Sequence, residues 1–250
     1  MYRFFINEED IEGDMVKITG KDFNHISNSL RLQPGDKIIV TRGKGREYLV
    51  KLREFEKGLV RGEVIEQRPD RQEPTARITL AQAIPKKRNM ELVVEKTTEL
   101  GVYSIIPLET ERTVVKLSGN KADKRKNRWQ RIAEAAAKQS QRGFIPRIES
   151  ICRPRQFAKR KEDYDLILVF STAQGVQSLQ DVEYSPGIRI GNILLFVGPE
   201  GGFNKEEVYY LKHELGAIPV TLGPRILRTE TAGIVGTALL LYEIGNMGVD

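Results

Sequence analysis

The order of strand-like and helix-like patterns constrains this fold most, and that order changes near residue 74. Residues 1–68 contain several short strand patterns and one helical segment, residues 21–30, as is typical of a small β-barrel. From Thr75 onward strand and helix patterns alternate, which indicates an α/β sheet that is largely parallel. The polar segment 68–74 contains two prolines and is typical of a linker. We therefore predict two domains, over residues 1–70 and 75–250.

Hydrophobic periodicity predicts the bounds of the individual elements. The predicted strands span residues 3–6, 15–18, 36–42, 47–53, 59–66, 77–83, 103–108, 165–170, 192–197 and 218–222. The predicted helices of the second domain span residues 89–100, 121–142, 205–215 and 230–244.

Cysteine and histidine usage bears on metals and on the cellular compartment. The chain has one cysteine and two histidines, too few for an intrachain disulfide or for the usual Cys/His zinc site, so we expect no metal. The start of the chain lacks the apolar segment of a secretory signal, and the apolar run 231–242 is too short to span a membrane. We therefore expect a cytoplasmic protein that does not associate with membranes.

Positive charge is concentrated in the middle of the chain. The net charge is +6, yet residues 1–74 carry fourteen basic and fourteen acidic side chains. Residues 112–161 carry sixteen basic side chains against three acidic ones. This segment is either a solvated face or a surface that contacts the phosphate backbone of a nucleic acid.

Two glycine-containing turns follow apolar strand patterns near the end of the chain. Leu194-Leu-Phe-Val-Gly-Pro-Glu-Gly-Gly-Phe-Asn204 leads into a helix, with Asn204 and Glu207 spaced as in a capping box. It is either a ligand-binding loop at the carboxyl end of a strand or a structural turn. In Val220-Thr-Leu-Gly-Pro-Arg-Ile-Leu-Arg-Thr-Glu-Thr-Ala232, an acidic residue in the first helical turn explains Glu230 but not the two arginines.

Several motifs in one order resemble the RsmE family of SPOUT methyltransferases, the 16S ribosomal RNA uridine N3-methyltransferases. They are Gln82-Ala-Ile-Pro-Lys86, Glu95-Lys-Thr-Thr-Glu-Leu-Gly-Val102, Arg128-Trp-Gln-Arg-Ile-Ala-Glu-Ala135 with Gln139-Ser-Gln-Arg142, Phe196-Val-Gly-Pro-Glu-Gly-Gly-Phe203 and Leu222-Gly-Pro-Arg-Ile-Leu-Arg-Thr-Glu-Thr-Ala232. The N-terminal His25, Leu30-Arg-Leu32 and Pro34-Gly-Asp36 resemble the family's PUA-like RNA-binding barrel. At Lys86-Lys-Arg-Asn89 the chain departs from the family, which more usually has a glycine and an acidic residue after the lysine.

The resemblance implies a SPOUT-type parallel sheet with a C-terminal trefoil knot, preceded by the PUA-like barrel. It also implies S-adenosyl-L-methionine as cofactor, 16S ribosomal RNA or the small ribosomal subunit as substrate, and a homodimer. The implied cofactor-binding residues follow three strands: Ser171, Thr172, Phe196, Gly198, Glu200, Gly201, Leu222, Gly223, Ile226, Leu227, Thr231 and Ala232.

Methylation of uracil N3 requires its proton to leave, so that either a carboxylate removes the proton or a cation stabilises the resulting anion at O2 or O4. Arg228 fits the cationic role, and Glu200 is either the base or a buried structural residue. The expected RNA-binding residues are His25, Arg31, Lys86, Lys124, Arg125, Lys126, Gln139 and Arg142. For His25 a satisfied, partly buried imidazole is the alternative, and for the last two it is termination of the long helix or a dimer contact.

Two other functions remain open on the sequence. Another SPOUT reaction, such as ribose 2′-O-methylation, would differ in the methylated position. A non-catalytic RNA-binding protein would bind RNA without affinity for S-adenosyl-L-methionine. A Rossmann-type methyltransferase fits less well, because the glycine-rich loop comes late instead of after the first strand.

Overall fold

A computed structural model describes residues 1–43, 45–69, 73–173, 175–182 and 191–247 of the chain. Residues 70–72 of the predicted linker lie outside the described residues. The chain divides into two compact units. The first contains Met1–Glu73 and Ala137–Ile145, and the second contains Pro74–Ala136 and Pro146–Asp250.

The first unit is built on a six-stranded mixed sheet with the order β1-β4-β5-β6-β3-β2. Its strands are β1 (Arg3–Phe5), β2 (Ile11–Glu12), β3 (Met15–Thr19), β4 (Lys37–Thr41), β5 (Arg46–Glu56) and β6 (Leu59–Pro69). Strands β1 and β4 are parallel, and the other neighbours are antiparallel. Helix α1 (Gly20–Asn24) continues as a π-helical turn (His25–Ser29). All five predicted strands and the predicted helix are confirmed, whereas the two-residue β2 was too short to predict.

The second unit is built on a seven-stranded sheet with the order β11-β13-β10-β12-β7-β8-β9, and every neighbouring pair is parallel. Its strands are β7 (Arg77–Ala83), β8 (Ser104–Leu108), β9 (Arg147–Ile148), β10 (Leu166–Phe170), β11 (Gln177–Ser178), β12 (Asn192–Val197) and β13 (Ile218–Thr221). Its helices are α2 (Asn89–Leu100), α3 (Asn120–Gln139), a 3-10 helix (Pro154–Asp163), a short 3-10 helix (Leu179–Asp181), α4 (Lys205–Tyr209) with a π-helical turn (Tyr210–Glu214), and α5 (Thr229–Glu243). The predicted parallel α/β sheet is confirmed.

Both faces of the parallel sheet are buried, so its central strands consist mostly of apolar residues. Ile193, Leu195 and Val197 of β12 belong to a core cluster that also contains side chains from α2, α3 and α5. Leu194 and Phe196 point to the other face. There they pack with side chains from the 3-10 helix Pro154–Asp163 and from the π-helical turn that follows α4. The sheet is thereby held rigidly between two helical layers, and the ends of its strands are fixed in place.

Helix α3 differs from the prediction at its end. It stops at Gln139 rather than at residue 142. Gln141 has a φ of 57°, in the left-handed region that a helix cannot continue through. The last residues of α3, from Ala137 onward, are grouped with the first unit.

Candidate active site

Four neighbouring strands of the parallel sheet end at one edge, and three predicted site segments follow them. Strands β13, β10, β12 and β7 lie side by side in that order, so their carboxyl ends point the same way. Residues 171–172 follow β10, residues 198–204 follow β12 and residues 222–228 follow β13. We call residues 198–204 the glycine loop and residues 222–228 the arginine loop. The amide of Ser171 donates to the carbonyl of Val220 at 2.9 Å, which joins the end of β10 to the end of β13.

The glycine loop is a tight turn that ends in a helix cap. Its Gly202 amide donates to the carbonyl of Pro199 at 2.8 Å, with a φ of 68° at Gly202, where glycine has no steric penalty. Asn204 Oδ1 accepts from the amide of Glu207 at 2.7 Å, and the Glu207 carboxylate accepts from the amide of Asn204 at 2.9 Å. This confirms the predicted capping box. The other carboxylate oxygen of Glu207 accepts from the amide of Glu111, also at 2.9 Å.

Residues that follow β7 and β8 also hold the glycine loop. The amide of Lys86 donates to the Glu200 carboxylate at 3.0 Å, and the Arg112 guanidinium donates to the carbonyl of Gly201 at 2.6 Å. Lys86 and Glu200 are both exposed, so the alternative of a buried Glu200 is wrong. Sequence reasoning missed Arg112, because it lies 89 residues from its partner and in no recognisable motif.

The arginine loop presents an apolar side chain and two cations to solvent. Gly223 has a φ of 104°, and Ile226 is 86% exposed, more than any other large apolar side chain described. Arg225 and Arg228 are exposed, and neither guanidinium has a hydrogen bond or ion pair within the described part of the chain. The loop therefore offers surfaces that its own fold does not use.

The first turn of α5 contains one acidic residue with a structural contact and two residues that line the edge of the parallel sheet. Glu230 is buried, and its carboxylate accepts from Asn89 Nδ2 at 2.8 Å. This contact ties α5 to the start of α2 and agrees with a helix-start role for Glu230. Thr231 and Ala232 are half-buried in the same turn.

The three basic residues predicted to contact RNA from α3 do not act as one cluster. Lys124 is exposed, whereas Arg125 Nη1 lies 3.6 Å from a Glu91 carboxylate oxygen. Lys126 Nζ donates to Ser150 Oγ at 3.3 Å. Successive residues of a helix point in different directions, so neighbours in the sequence do not share one surface.

In the first unit, His25 and Arg31 are both exposed. The His25 ring packs edge-on against Phe4, with ring centroids 5.8 Å apart. Arg31 has a φ of 52°, an uncommon conformation for a residue with a side chain. Both side chains are accessible to a partner.

Gln139 and Arg142 of the first unit differ in exposure. Gln139 is exposed, whereas the side chain of Arg142 is only 7% exposed. Its guanidinium lies 2.6 Å from the Glu73 carboxylate, which also accepts from the amides of Gly143 and Phe144. The Arg142 side chain is therefore engaged within this unit by a buried ion pair.

The described residues lack both a cluster of metal-ligating side chains and a membrane-spanning helix. They contain no group of three or more His, Cys, Asp or Glu side chains placed to hold a metal ion. None of their helices is both long enough and apolar enough to cross a membrane.

Two protein-family models match this chain. An RNA methyltransferase domain matches residues 71–241, and an RNA methyltransferase PUA domain matches residues 18–65. Together they include the edge of the parallel sheet and most of the mixed sheet.

Relatives of known name match over nearly the whole chain. Ribosomal RNA small subunit methyltransferase E of Bacillus subtilis is 35% identical over 97% of both chains. The crystal structure of the Neisseria gonorrhoeae protein of that name, bound to S-adenosyl methionine, has a TM-score of 0.81 and 32% identity over 97% of both chains. The Legionella pneumophila putative methyltransferase Lpg2936, also in complex with that cofactor, has a TM-score of 0.77 and 31% identity over 96% of both chains. Because these matches cover both units and the strand ends that form the site, the chain belongs to the RsmE family of ribosomal RNA small subunit methyltransferases, with a PUA domain and a SPOUT-type methyltransferase domain.

Proposed function

We propose that this protein transfers a methyl group from S-adenosyl-L-methionine to N3 of one uridine in 16S ribosomal RNA. The meeting of three strand-end segments at one edge of the parallel sheet carries the proposal. The name of its relatives supports the RNA substrate, and two related structures bound to S-adenosyl methionine support the donor. The position on the base is the one that the family resemblance implies.

The residues at this edge fit a donor that contains a nucleoside. Among the described residues, apart from Gly223 and its two chain neighbours, no atom lies within 4 Å of the place where a Cβ on Gly223 would be, so the space beside its backbone is open to them. The exposed Ile226 offers an apolar surface that an adenine ring would cover, and backbone groups with the hydroxyls of Ser171 and Thr172 offer polar partners. Phe196 is fully buried and can contribute only its backbone.

The full set of donor-binding residues that we propose surrounds these groups. It comprises Ser171, Thr172, Phe196, Gly198, Glu200, Gly201, Leu222, Gly223, Ile226, Leu227, Thr231 and Ala232.

Two exposed side chains of opposite charge carry the proposed chemistry. S-adenosyl-L-methionine supplies an electrophilic methyl group on a sulfonium sulfur, and an in-line displacement of this kind depends on positioning. Glu200, oriented by the amide of Lys86, accepts the proton that leaves uracil N3. The Arg228 guanidinium stabilises the negative charge that develops on O2 or O4 of the uracil.

We propose that residues 1–70 bind the RNA and that residues 75–250 carry the donor and the catalysis. His25, Arg31, Gln139 and Lys124 are exposed and free to approach the RNA. Lys86 is likewise exposed, whereas contacts from Arg125, Lys126 and Arg142 require their present partners to be exchanged. In particular, Arg142 would have to leave Glu73.

The surface of α5 supports a homodimer. This helix is mostly apolar, yet Leu239 is 40% exposed and Tyr242 is 67% exposed. An apolar helix face in contact with water is typical of a protein–protein interface. We propose that α5 packs against the partner subunit and that the site is completed there.

The knot and the compartment are also part of the proposal. The chain passes from β12 to β13 across β10, and α5 then packs against α2, β7 and β12. We propose that this return path is the trefoil knot of the SPOUT fold. A ribosomal RNA substrate places the protein in the cytoplasm.

Nucleoside mass spectrometry of 16S ribosomal RNA, incubated with the protein and the donor, tests the function. We expect one uridine to gain a methyl group at N3. A methyl group on a ribose 2′-oxygen would favour the other SPOUT reaction. Binding of RNA without calorimetrically detectable binding of S-adenosyl-L-methionine would favour a non-catalytic RNA-binding protein.

A further inference from the structure

A buried chain of hydrogen bonds ends at the first residue of the glycine loop. Gln82 Nε2, at the end of β7, donates to the hydroxyl of Thr229 at 2.9 Å. The Thr229 hydroxyl donates in turn to the carbonyl of Gly198 at 2.5 Å. Gln82 is fully buried and Thr229 is 4% exposed, so water does not replace these partners.

The single proton of the Thr229 hydroxyl fixes which group donates and which accepts in each of these hydrogen bonds. A threonine hydroxyl has one proton, and the carbonyl of Gly198 can only accept it. The hydroxyl must therefore accept from its other partner, which identifies the Gln82 amide nitrogen as the donor. The Gln82 side chain is itself held in place, because its amide nitrogen Nε2 also donates to the carbonyl of Ala83 at 3.1 Å.

Helix α5 lies close enough to make this contact because two of its residues lack a side chain. A Cβ on Gly233 would lie 2.3 Å from Gln82 Oε1, and a Cβ on Gly236 would lie 2.1 Å from the Phe170 ring. Gln82 is the next-to-last residue of β7, and Phe170 is the last residue of β10. The start of α5 is thereby held against the ends of β7, β10 and β12, the edge that carries the site.

We propose that Thr229 is a positioning residue of the donor site and that Gln82 orients its hydroxyl. Thr229 contacts neither donor nor RNA in this role. It fixes the carbonyl of Gly198, and thereby the backbone from which the glycine loop begins. The inference rests on the proposed function, since it assumes that the glycine loop binds S-adenosyl-L-methionine.

Thr229→Val tests this role, because it keeps the shape of the side chain and removes the hydroxyl. We expect the dissociation constant for S-adenosyl-L-methionine to rise about 3- to 10-fold, the effect of losing one buried hydrogen bond. Thr229→Ser keeps the hydroxyl and should restore affinity. The matched control is Thr237→Val in the same helix, where a fully buried hydroxyl donates only to the carbonyl of Gly233, at 2.7 Å.

The control should lose thermal stability without losing donor affinity. Calorimetry of donor binding, together with melting temperatures of all three variants, separates positioning from general destabilisation. Equal losses of affinity in the two valine variants, or unchanged affinity in Thr229→Val, would overturn the inference. A wild-type protein that does not bind the donor would instead overturn the proposed function.

Gln82→Met, alone and combined with Thr229→Val, tests the orienting role of Gln82. If both side chains act through the carbonyl of Gly198, the double variant should lose little more affinity than Thr229→Val alone. Additive losses would show that Gln82 acts on the donor site by another route, and they would remove it from the proposal.

Discussion

Arg228 is the last residue before α5, and its guanidinium has no partner in the described part of the chain. A residue that braced the loop would be expected to have one. Truncation should therefore leave donor affinity unchanged and remove only an interaction with the developing uracil anion. We expect Arg228→Ala to lower turnover about 10²- to 10³-fold. Arg228→Lys should recover little, since lysine lacks the planar arrangement of donors.

Arg225 supplies the matched control for this experiment, because it is an exposed arginine of the same loop. Arg225→Ala should change turnover by a much smaller factor. Calorimetry of S-adenosyl-L-methionine binding to both variants distinguishes the two roles. A donor affinity that fell in parallel with turnover in Arg228→Ala would show that this arginine is structural.

Cys152 illustrates how burial sets reactivity at a single residue. Burial, together with the nearby Glu149 carboxylate, raises the pKa of its thiol to about 12. Alkylating reagents attack through the thiolate, which is scarce at pH 8 when the pKa is so high. We expect iodoacetamide to modify the folded protein at least about 100-fold more slowly than the urea-unfolded chain at that pH. Equal rates in the two states would show that the thiol is accessible and unperturbed.

At the scale of elements, Gly236 shows packing prevailing over helix propensity. Alanine is intrinsically better than glycine in a helix by about 1 kcal/mol. At this position, however, a Cβ would overlap the Phe170 ring, and overpacking of this kind costs about 1–3 kcal/mol. We expect Gly236→Ala to lower the free energy of unfolding in urea, and Phe170→Leu to restore part of it by making room. A stabilised Gly236→Ala protein would contradict this.

Helix α3 gives a prediction about RNA binding. Lys124 is exposed, whereas its two basic neighbours already have protein partners. We expect Lys124→Ala to reduce the salt slope of RNA binding by about one unit. The triple alanine variant of residues 124–126 should reduce it little further, although three free phosphate contacts would give about three units. An unchanged slope in the triple variant would mean that this part of α3 is a solvated face.

The elements that periodicity predicts best are those with many residues of one kind. Strand β12 is apolar on both faces, so its bounds agree with the prediction, as do those of β7 and α2. The ten-residue 3-10 helix Pro154–Asp163 escaped prediction because it is mostly polar and buries only Pro154 and Phe157. The site was predictable where backbone chemistry marks it, as in the glycine loop. Arg112 and Thr229 were not, because their roles depend on partners far away in the sequence.

At the scale of the whole molecule, the proposed homodimer predicts the effect of charge on α5. Burying one uncompensated carboxylate per subunit would strongly disfavour association. We expect Leu239→Asp to convert the dimer to a monomer in size-exclusion chromatography with light scattering. Leu92→Asp, at an exposed leucine of α2, allows the effect on the oligomeric state to be compared at a second apolar position. A wild-type protein that is monomeric at micromolar concentration would contradict the proposal.

The first unit is discontinuous along the chain, and this has a consequence for its synthesis. The Glu73 carboxylate accepts from the Arg142 guanidinium and from the amides of Gly143 and Phe144, all of which come about 70 residues later in the sequence. When the ribosome has translated only the first 73 codons, none of these partners of Glu73 has been synthesised. The amino-terminal unit can be completed only after residue 145 has left the exit tunnel, and five of the seven strands of the parallel sheet, β9 to β13, come later still in the sequence. An excised fragment that ends at residue 73 should therefore be less resistant to proteolysis than the same unit within the full chain.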